Sequence, residues 1–164
     1  MATAERKYPA PAVNPEIKRF FDAAVQGNLM LKKCAACGQS HFYPRAICPY
    51  CASDRTEWVT SSGRGTIYSY EVVMHAIQPG FKEIAPYPVV LVELDEQRGR
   101  PTPDEGLRII ANLVTTDDRP EAEENVAIGK LVRVTFQDLA AHMALPQFTL
   151  IDERPAGRTW RFPD

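Results

Sequence analysis

The sequence is short of the groups that usually carry nucleophilic or acid–base catalysis. It has three histidines, His41, His75 and His142, and none stands beside a nucleophile motif. There is no Gly-x-Ser-x-Gly, and no cysteine lies outside residues 34–51. A histidine at a strand end or in a loop is more often a hydrogen-bonded surface group than a general base, so no catalytic residue is assigned. Gly63-Arg64-Gly65 lacks the lysine and spacing of a phosphate loop and reads as a turn or bulge. Basic runs are missing too. Lys and Arg total 19 against 21 Asp and Glu, giving a net charge of −2, which disfavours the counterion-releasing grip typical of nucleic-acid binders. No stretch approaches the roughly 18 apolar residues of a membrane span. The opening MATAERKYPAPAVNPEIKRFF holds no apolar signal core. A cytoplasmic protein that does not contact membranes is expected.

What is present suits a folded protein. The 164 residues, 45% hydrophobic and 24% charged, allow one ordinary domain or a very small module joined to a medium one. All four cysteines fall in KCAACGQSHFYPRAICPYC, residues 33–51, as two Cys-x-x-Cys pairs separated by ten residues. In a reducing compartment, clustered thiols read as metal ligands rather than disulfides. Each Cys-x-x-Cys turn sets two sulfurs on one side of an ion and aims backbone amides at them, so Cys34, Cys37, Cys48 and Cys51 should surround one tetrahedral metal. Zinc is expected, with iron as the rival. Four thiolates leave no open position for water or substrate, so the site reads as structural, holding a segment too short to bury a core of its own. Phe42, Tyr43, Pro44 and Arg45 occupy the hairpin between the pairs. They would either cover the metal and offset its charge or touch a partner.

Along the chain, a proline-rich arm at 8–15 leads to a helix start at Asn14-Pro15-Glu16. Ile17, Phe20, Phe21, Ala24 and Val25 recur at helical spacing until Gly27-Asn28. This stripe would pack on the protein's own body or dock on a partner. After residue 62 the period becomes two. Strands are predicted at 66–75, 87–94, 107–114, 131–136 and 148–151, with one helix-like segment at 121–128. That order fits a five-stranded OB-type Greek-key barrel better than a small open sandwich. The connections at 76–86 and 137–147 would then flank the ligand face. The linker at 96–106, EQRGRPTPDEG, looks polar and mobile. The expected fold is mainly β, divided into an N-terminal arm and helix (1–28), a zinc ribbon (29–61), an OB barrel (62–153) and a C-terminal tail (154–164).

The series of a helix running into LMLKKCAACG, then FYPRAICPYC, SSGRGTIYSYEVV, YPVVLVEL, IGKLVRVTF and LPQF resembles the DUF35 family, OB-fold proteins with a rubredoxin-like zinc ribbon. The resemblance covers nearly everything after about residue 14. It implies a companion role, because members of that family form heteromeric complexes with thiolase-fold enzymes that make or break carbon–carbon bonds in acyl-CoA substrates. Thiolases, acyltransferases and steroid side-chain retro-aldolases are among them, and the nucleophile belongs to the partner. Only Cys34, Cys37, Cys48 and Cys51 carry over residue by residue, as ligands. Ala52 departs from the pattern, standing where the second knuckle often has glycine.

The expectation is therefore a non-catalytic subunit of a heteromeric thiolase-like complex. Its ribbon, N-terminal helix and the loop at Gln78-Pro79-Gly80-Phe81 would be contact surfaces. A CoA thioester is a candidate ligand of the complex, with Arg45, Arg64, Lys82 or Arg133 meeting phosphates and Phe81 or Tyr87 stacking on adenine. The alternative from another class is a single-stranded nucleic-acid binder stacking bases on Tyr68, Tyr70 and Phe136.

Overall fold

Asn14 caps the first helix, α1 (Pro15–Val25), with its side chain accepting from the Ile17 amide at 3.0 Å. The structure, a computed structural model, describes residues 10–140 and 143–162. His142 and the first residues of the N-terminal arm lie outside the described residues. At its C-terminal end the helix closes in a Schellman motif: Gly27 (φ 76°) donates to Ala24 O at 2.9 Å and Asn28 to Ala23 O at 3.0 Å. Ile17, Phe20, Phe21 and Ala24 are buried, whereas Val25 is exposed. The stripe packs against strands of its own chain, so the docking alternative for this face is corrected.

The next strands form a small antiparallel sheet in the order β2–β1–β3: β1 (Met30–Cys34), β2 (Ser40–His41) and β3 (Thr56–Thr60). Met30 lies opposite Thr60 and Cys34 opposite Thr56. The second sheet contains β4 (Arg64–Val73), β5 (Tyr87–Leu94), β6 (Arg108–Asn112), β7 (Leu131–Ala140) and β8 (Met143–Leu150), in the order β6–β5–β4–β7–β8. A parallel bridge between Leu113 and Phe148 joins the two outer members and closes the OB-type barrel. A four-residue helix, α2 (Pro79–Lys82), lies in the β4–β5 connection.

β4 departs from simple alternation. Its register to β5 shifts between Ile67 and Ser69, a bulge that leaves Tyr68 exposed while Ile67 and Tyr70 both pack inward. Before it, Gly63 sits at φ 69°, where an added Cβ would stand 2.2 Å from a Val134 methyl. At Gly65 a Cβ would meet the Glu93 carbonyl at 2.6 Å. Glycine at both positions lets the chain enter the barrel closely against β7 and β5.

Three expectations need revision. Residues 121–128 form no α-helix; a 3-10 turn at Glu123–Asn125 is followed by extended chain. Val126 and Ala127 are buried side by side and have no apolar stripe behind them at helical spacing. The described residues of 137–147 are strand rather than loop: β7 runs to Ala140 and β8 starts at Met143, pairing Gln137 with Leu145 and Asp138 with Ala144. The linker at 96–106 is anchored at its start by Gln97, its one buried residue, which is only 4% exposed.

One hydrophobic core joins these parts. Ile17, Phe20 and Phe21 of α1 and Leu29 and Leu31 at the ribbon's base cluster with Ile67, Val90, Val92, Ile109 and Phe148 of the barrel. No helix among the described residues is long and apolar enough to cross a membrane.

Candidate functional site

The two Cys-x-x-Cys turns are built alike. Gly38 N donates to Cys34 O at 2.9 Å and Ala52 N to Cys48 O at 3.0 Å, while Cys34 and Cys48 amides donate to Gln39 O and Ser53 O, each at 2.9 Å. This repeat converges the sulfurs, whose ligand atoms all lie within 4.8 Å of one another. Cys34 Sγ is 3.6 Å from Cys51 Sγ, and Cys37 Sγ is 3.7 Å from Cys48 Sγ. A tetrahedral zinc with bonds of about 2.3 Å needs sulfur–sulfur edges of about 3.8 Å. The donor set and spacing therefore fit zinc.

The thiols are electrostatically unequal. Amides of Cys37 and Ala36 directed at Cys34 lower its pKa to about 6, with hydrogen bonds from neighbouring thiols assisting and burial opposing. At Cys51 the Ser53 amide also pulls downward, but loss of hydration and the three other sulfurs outweigh it and push the thiol up to about 12. Without a cation, four thiolates this close cannot all form. A divalent ion supplies the missing countercharge.

Ala52 stands at φ 58°, equivalent to Gly38 at φ 74° in the first knuckle. A side chain in the left-handed region is strained by roughly 1–2 kcal/mol, partly offset by the backbone entropy a glycine loses on folding. Ala52→Gly should therefore stabilise the protein by about 1 kcal/mol, read as a higher urea midpoint with an unchanged slope. A lower midpoint would contradict this.

The ribbon is clamped to the barrel by the 3-10 turn Asp95–Gln97. Gln97 accepts from Ser40 N at 2.6 Å and donates to Ser40 O at 3.1 Å, acting as a substitute strand neighbour for β2. Glu96 accepts from the Ser61 hydroxyl at 2.8 Å and the Ser62 amide at 2.5 Å, gripping the chain where it leaves the ribbon. Burial opposes ionisation of Glu96, yet these donors outweigh it and lower its pKa. Sequence reasoning missed this clamp; the contacts span 57 and 35 residues and no local pattern announces them.

The hairpin aromatics pack on α1. Phe42 lies 5.6 Å and Tyr43 6.5 Å from the Phe20 ring, while Arg45 is exposed. His41 is buried with Nδ1 3.4 Å from Tyr43 O, and His75 is exposed. Of the aromatics considered for base stacking, Tyr70 and Phe136 pack against the core, and Tyr70 accepts from the Phe162 amide. Tyr68 is exposed, with the Arg108 guanidinium 3.5 Å over its ring.

The expected ligand face carries a cleft of about 250 Å³. Phe81 and Ile84 line it from the α2 connection, Val114 and Pro120 from the β6–β7 connection, and Leu145 and Gln147 from β8. Phe81 lies against Tyr87 at 5.9 Å, so the two proposed adenine-stacking rings contact each other. Of the basic candidates, Lys82 ends α2, Arg64 pairs with Glu153 at 2.8 Å, and Arg133 sits opposite Arg64 in the β4–β7 register. None of these, nor Arg45, is among the residues that line the cleft. Arg119 and Gln147, both lining the cleft, were not singled out by sequence.

Two family models match successive stretches of the chain. Residues 21–57 match the family model for the ChsH2 rubredoxin-like zinc ribbon domain, and residues 58–137 match that for the ChsH2 C-terminal OB-fold domain. A DUF35 domain-containing scaffold protein of Methanothermobacter thermautotrophicus is 35% identical over 111 residues, covering 67% of this chain and 72% of that one. A probable enoyl-CoA hydratase alpha subunit of Thermomonospora curvata is 34% identical over 140 residues, 85% of this chain but only 39% of its own length. Among solved structures, one described as an Ltp2-ChsH2(DUF35) aldolase superposes with a TM-score of 0.69 at 33% identity, covering 86% of this chain and 98% of the other. With a four-cysteine ribbon and a closed OB barrel in the matching order, this chain belongs to the DUF35 family.

Proposed function

We propose that this chain is a non-catalytic subunit of a heteromeric complex whose thiolase-fold partner forms or cleaves carbon–carbon bonds in acyl-CoA substrates. The observation that carries the reading is the likeness, over 86% of this chain and 98% of the other, to a chain of the structure described as an Ltp2-ChsH2(DUF35) aldolase. The scaffold designation of the archaeal relative and the enoyl-CoA designation of the actinobacterial one point the same way. In this reading Cys34, Cys37, Cys48 and Cys51 hold a structural zinc ion, and the complex works in the cytoplasm. The units run 1–28, 29–61, 62–153 and 154–164.

Contact with the partner would fall where apolar side chains remain exposed. Ile47 and Tyr50 protrude from the ribbon, and Met74 and Ile77 stand at the start of the β4–β5 connection, Ile77 being 94% exposed. Their burial in an interface is favourable. The α1 stripe, already buried, is not part of this surface.

Co-expression with a thiolase-fold protein from the same source should give one co-eluting complex whose activity depends on both chains. Separate elution, together with full activity of the partner alone, would refute the proposal.

A further inference from the structure

β4 is longer than the strand beside it. On one edge Gly65 lies opposite Val132 of β7, Ile67 N donates to Lys130 O at 2.9 Å, and Ile67 O accepts from Gly129 N at 2.8 Å. That ladder stops there, because Lys130 N turns back to Ala127 O. β4 continues to Val73 with β5 on its other edge alone. Successive residues of an antiparallel strand direct their main-chain groups to opposite edges. In β5, Pro88 O and Leu94 N bond toward β6, so Val89 and Leu91 point at β4, where Glu71 and Ser69 lie opposite them. Tyr70 and Val72 therefore direct their N–H and C=O groups away from β5. These groups have no partner among the described residues. Phe162 of the C-terminal tail bonds the Tyr70 hydroxyl, not its main chain.

An open edge is a template for another strand, and proteins that keep one free guard it with lysine, proline or a bulge. Residues 68–77, YSYEVVMHAI, hold neither lysine nor proline. The bulge between Ile67 and Ser69 falls before the open stretch, and the register from Tyr70 to Val73 is regular. Two N–H and two C=O groups repeat there at a spacing of about 6.8 Å, which a second main chain matches and a small molecule does not. Beside them stand Met74 and Ile77, 56% and 94% exposed, and Glu71, exposed and without an ion-pair partner among the described residues. Two copies of this chain paired edge to edge over Tyr70–Val72 would set Glu71 against Glu71, and like charges directly opposite are destabilising. A different chain with a basic residue at that place gains from the same carboxylate.

We infer that the open edge of β4 receives an extended segment of the thiolase-fold partner as an added strand. The segment bonds the main chain of Tyr70 and Val72, places a Lys or Arg across from Glu71, and covers Met74 with apolar side chains. That it belongs to a thiolase-fold protein rests on the accessory reading above; that this edge takes a strand does not.

The test follows amide hydrogen exchange, resolved to single residues, in the full zinc-loaded chain alone and in complex with the co-expressed thiolase-fold protein. Alone, Tyr70 and Val72 should exchange fast, while Ser69 and Glu71, bonded to β5, exchange slowly. In the complex Tyr70 and Val72 should slow by at least about tenfold. Val72→Pro removes an N–H that bonds nothing within the chain, and an edge strand tolerates proline there, so the isolated fold should persist while affinity for the partner falls by roughly tenfold. Glu71→Lys should weaken assembly by roughly fivefold. Should Val72→Pro fold poorly, the exchange pattern of the unmodified chain still decides the matter. Slow exchange at Tyr70 and Val72 in the isolated monomer would show the edge to be covered already and overturn the inference. Protection that rises with the concentration of the chain alone would assign the edge to a second copy and overturn it too. Assembly without slowing at Tyr70 and Val72, or with unchanged affinity in both variants, sinks strand addition and leaves the accessory role standing. Failure of the unmodified chain to assemble at all sinks both.

Discussion

Removing the metal should unfold the tip of the ribbon while the barrel remains folded. The tip has little else to hold it. β1 and β3 end there with Lys33 opposite Glu57 and Cys34 opposite Thr56, so the facing side chains supply charge and sulfur rather than hydrocarbon. The apolar residues of the ribbon that join the shared core, Leu29 and Leu31 at its base and Phe42 in the hairpin, lie outside the two knuckles. Metal binding is therefore the folding energy of the tip, as in other small zinc modules. After chelation, or in Cys48→Ser, hydrogen exchange in the two knuckles, residues 34–38 and 48–54, should rise to nearly unprotected rates, while Val90, Val92 and Ile109 in the barrel keep their protection. Metal analysis should return one zinc per chain. Persistent protection of the tip after metal loss would refute the structural role, and a red absorbance bleached by dithionite would replace zinc with iron. Acid should act like chelation, since protons compete for the thiolates.

What could be read from the sequence was local. Asn14-Pro15 and Gly27-Asn28 bracket α1 because capping uses residues at fixed short offsets. β5 coincides with its predicted span because Pro88, Val90, Val92 and Leu94 alternate inward without interruption. The cysteine knuckles were legible for the same reason: two turns, each complete within a few residues, repeat one geometry. What escaped was set by distant partners. Polar Gln137 and Asp138 and the Pro146 that interrupts the second strand look like a loop, yet β8 pairs with β7 alone before reaching Phe148. An outer strand tolerates a residue without an amide hydrogen. Gln97 looked like linker because its function depends on Ser40, and Gln147 looked unremarkable because its environment is made by Asn112 and the cleft wall. The C-terminal residues show the same dependence. Trp160 exchanges backbone hydrogen bonds with Ile128 at 2.8 and 3.0 Å, where Gly129 lets the chain approach.

Phe20→Ala should destabilise the whole protein by about 3–5 kcal/mol, the range for removing a buried phenylalanine. Its ring is 2% exposed and lies 5.3 Å from Phe21, 5.6 Å from Phe42 and 6.5 Å from Tyr43, so one side chain ties α1 to the ribbon hairpin and to the core they share with the barrel. Against a typical total stability of about 5–15 kcal/mol, this loss is large. Val25, on the same helix but exposed, serves as the control: Val25→Ala should change stability by no more than about 0.5 kcal/mol. Urea unfolding followed by tryptophan fluorescence measures both. The comparison also tests what the apolar stripe of α1 is for. If it serves this chain's own core, Phe20→Ala lowers stability in the isolated subunit, before any partner is added. A stripe reserved for a partner would show the reverse, with isolated stability unchanged and only complex formation lost, and that result would return α1 to the list of contact surfaces.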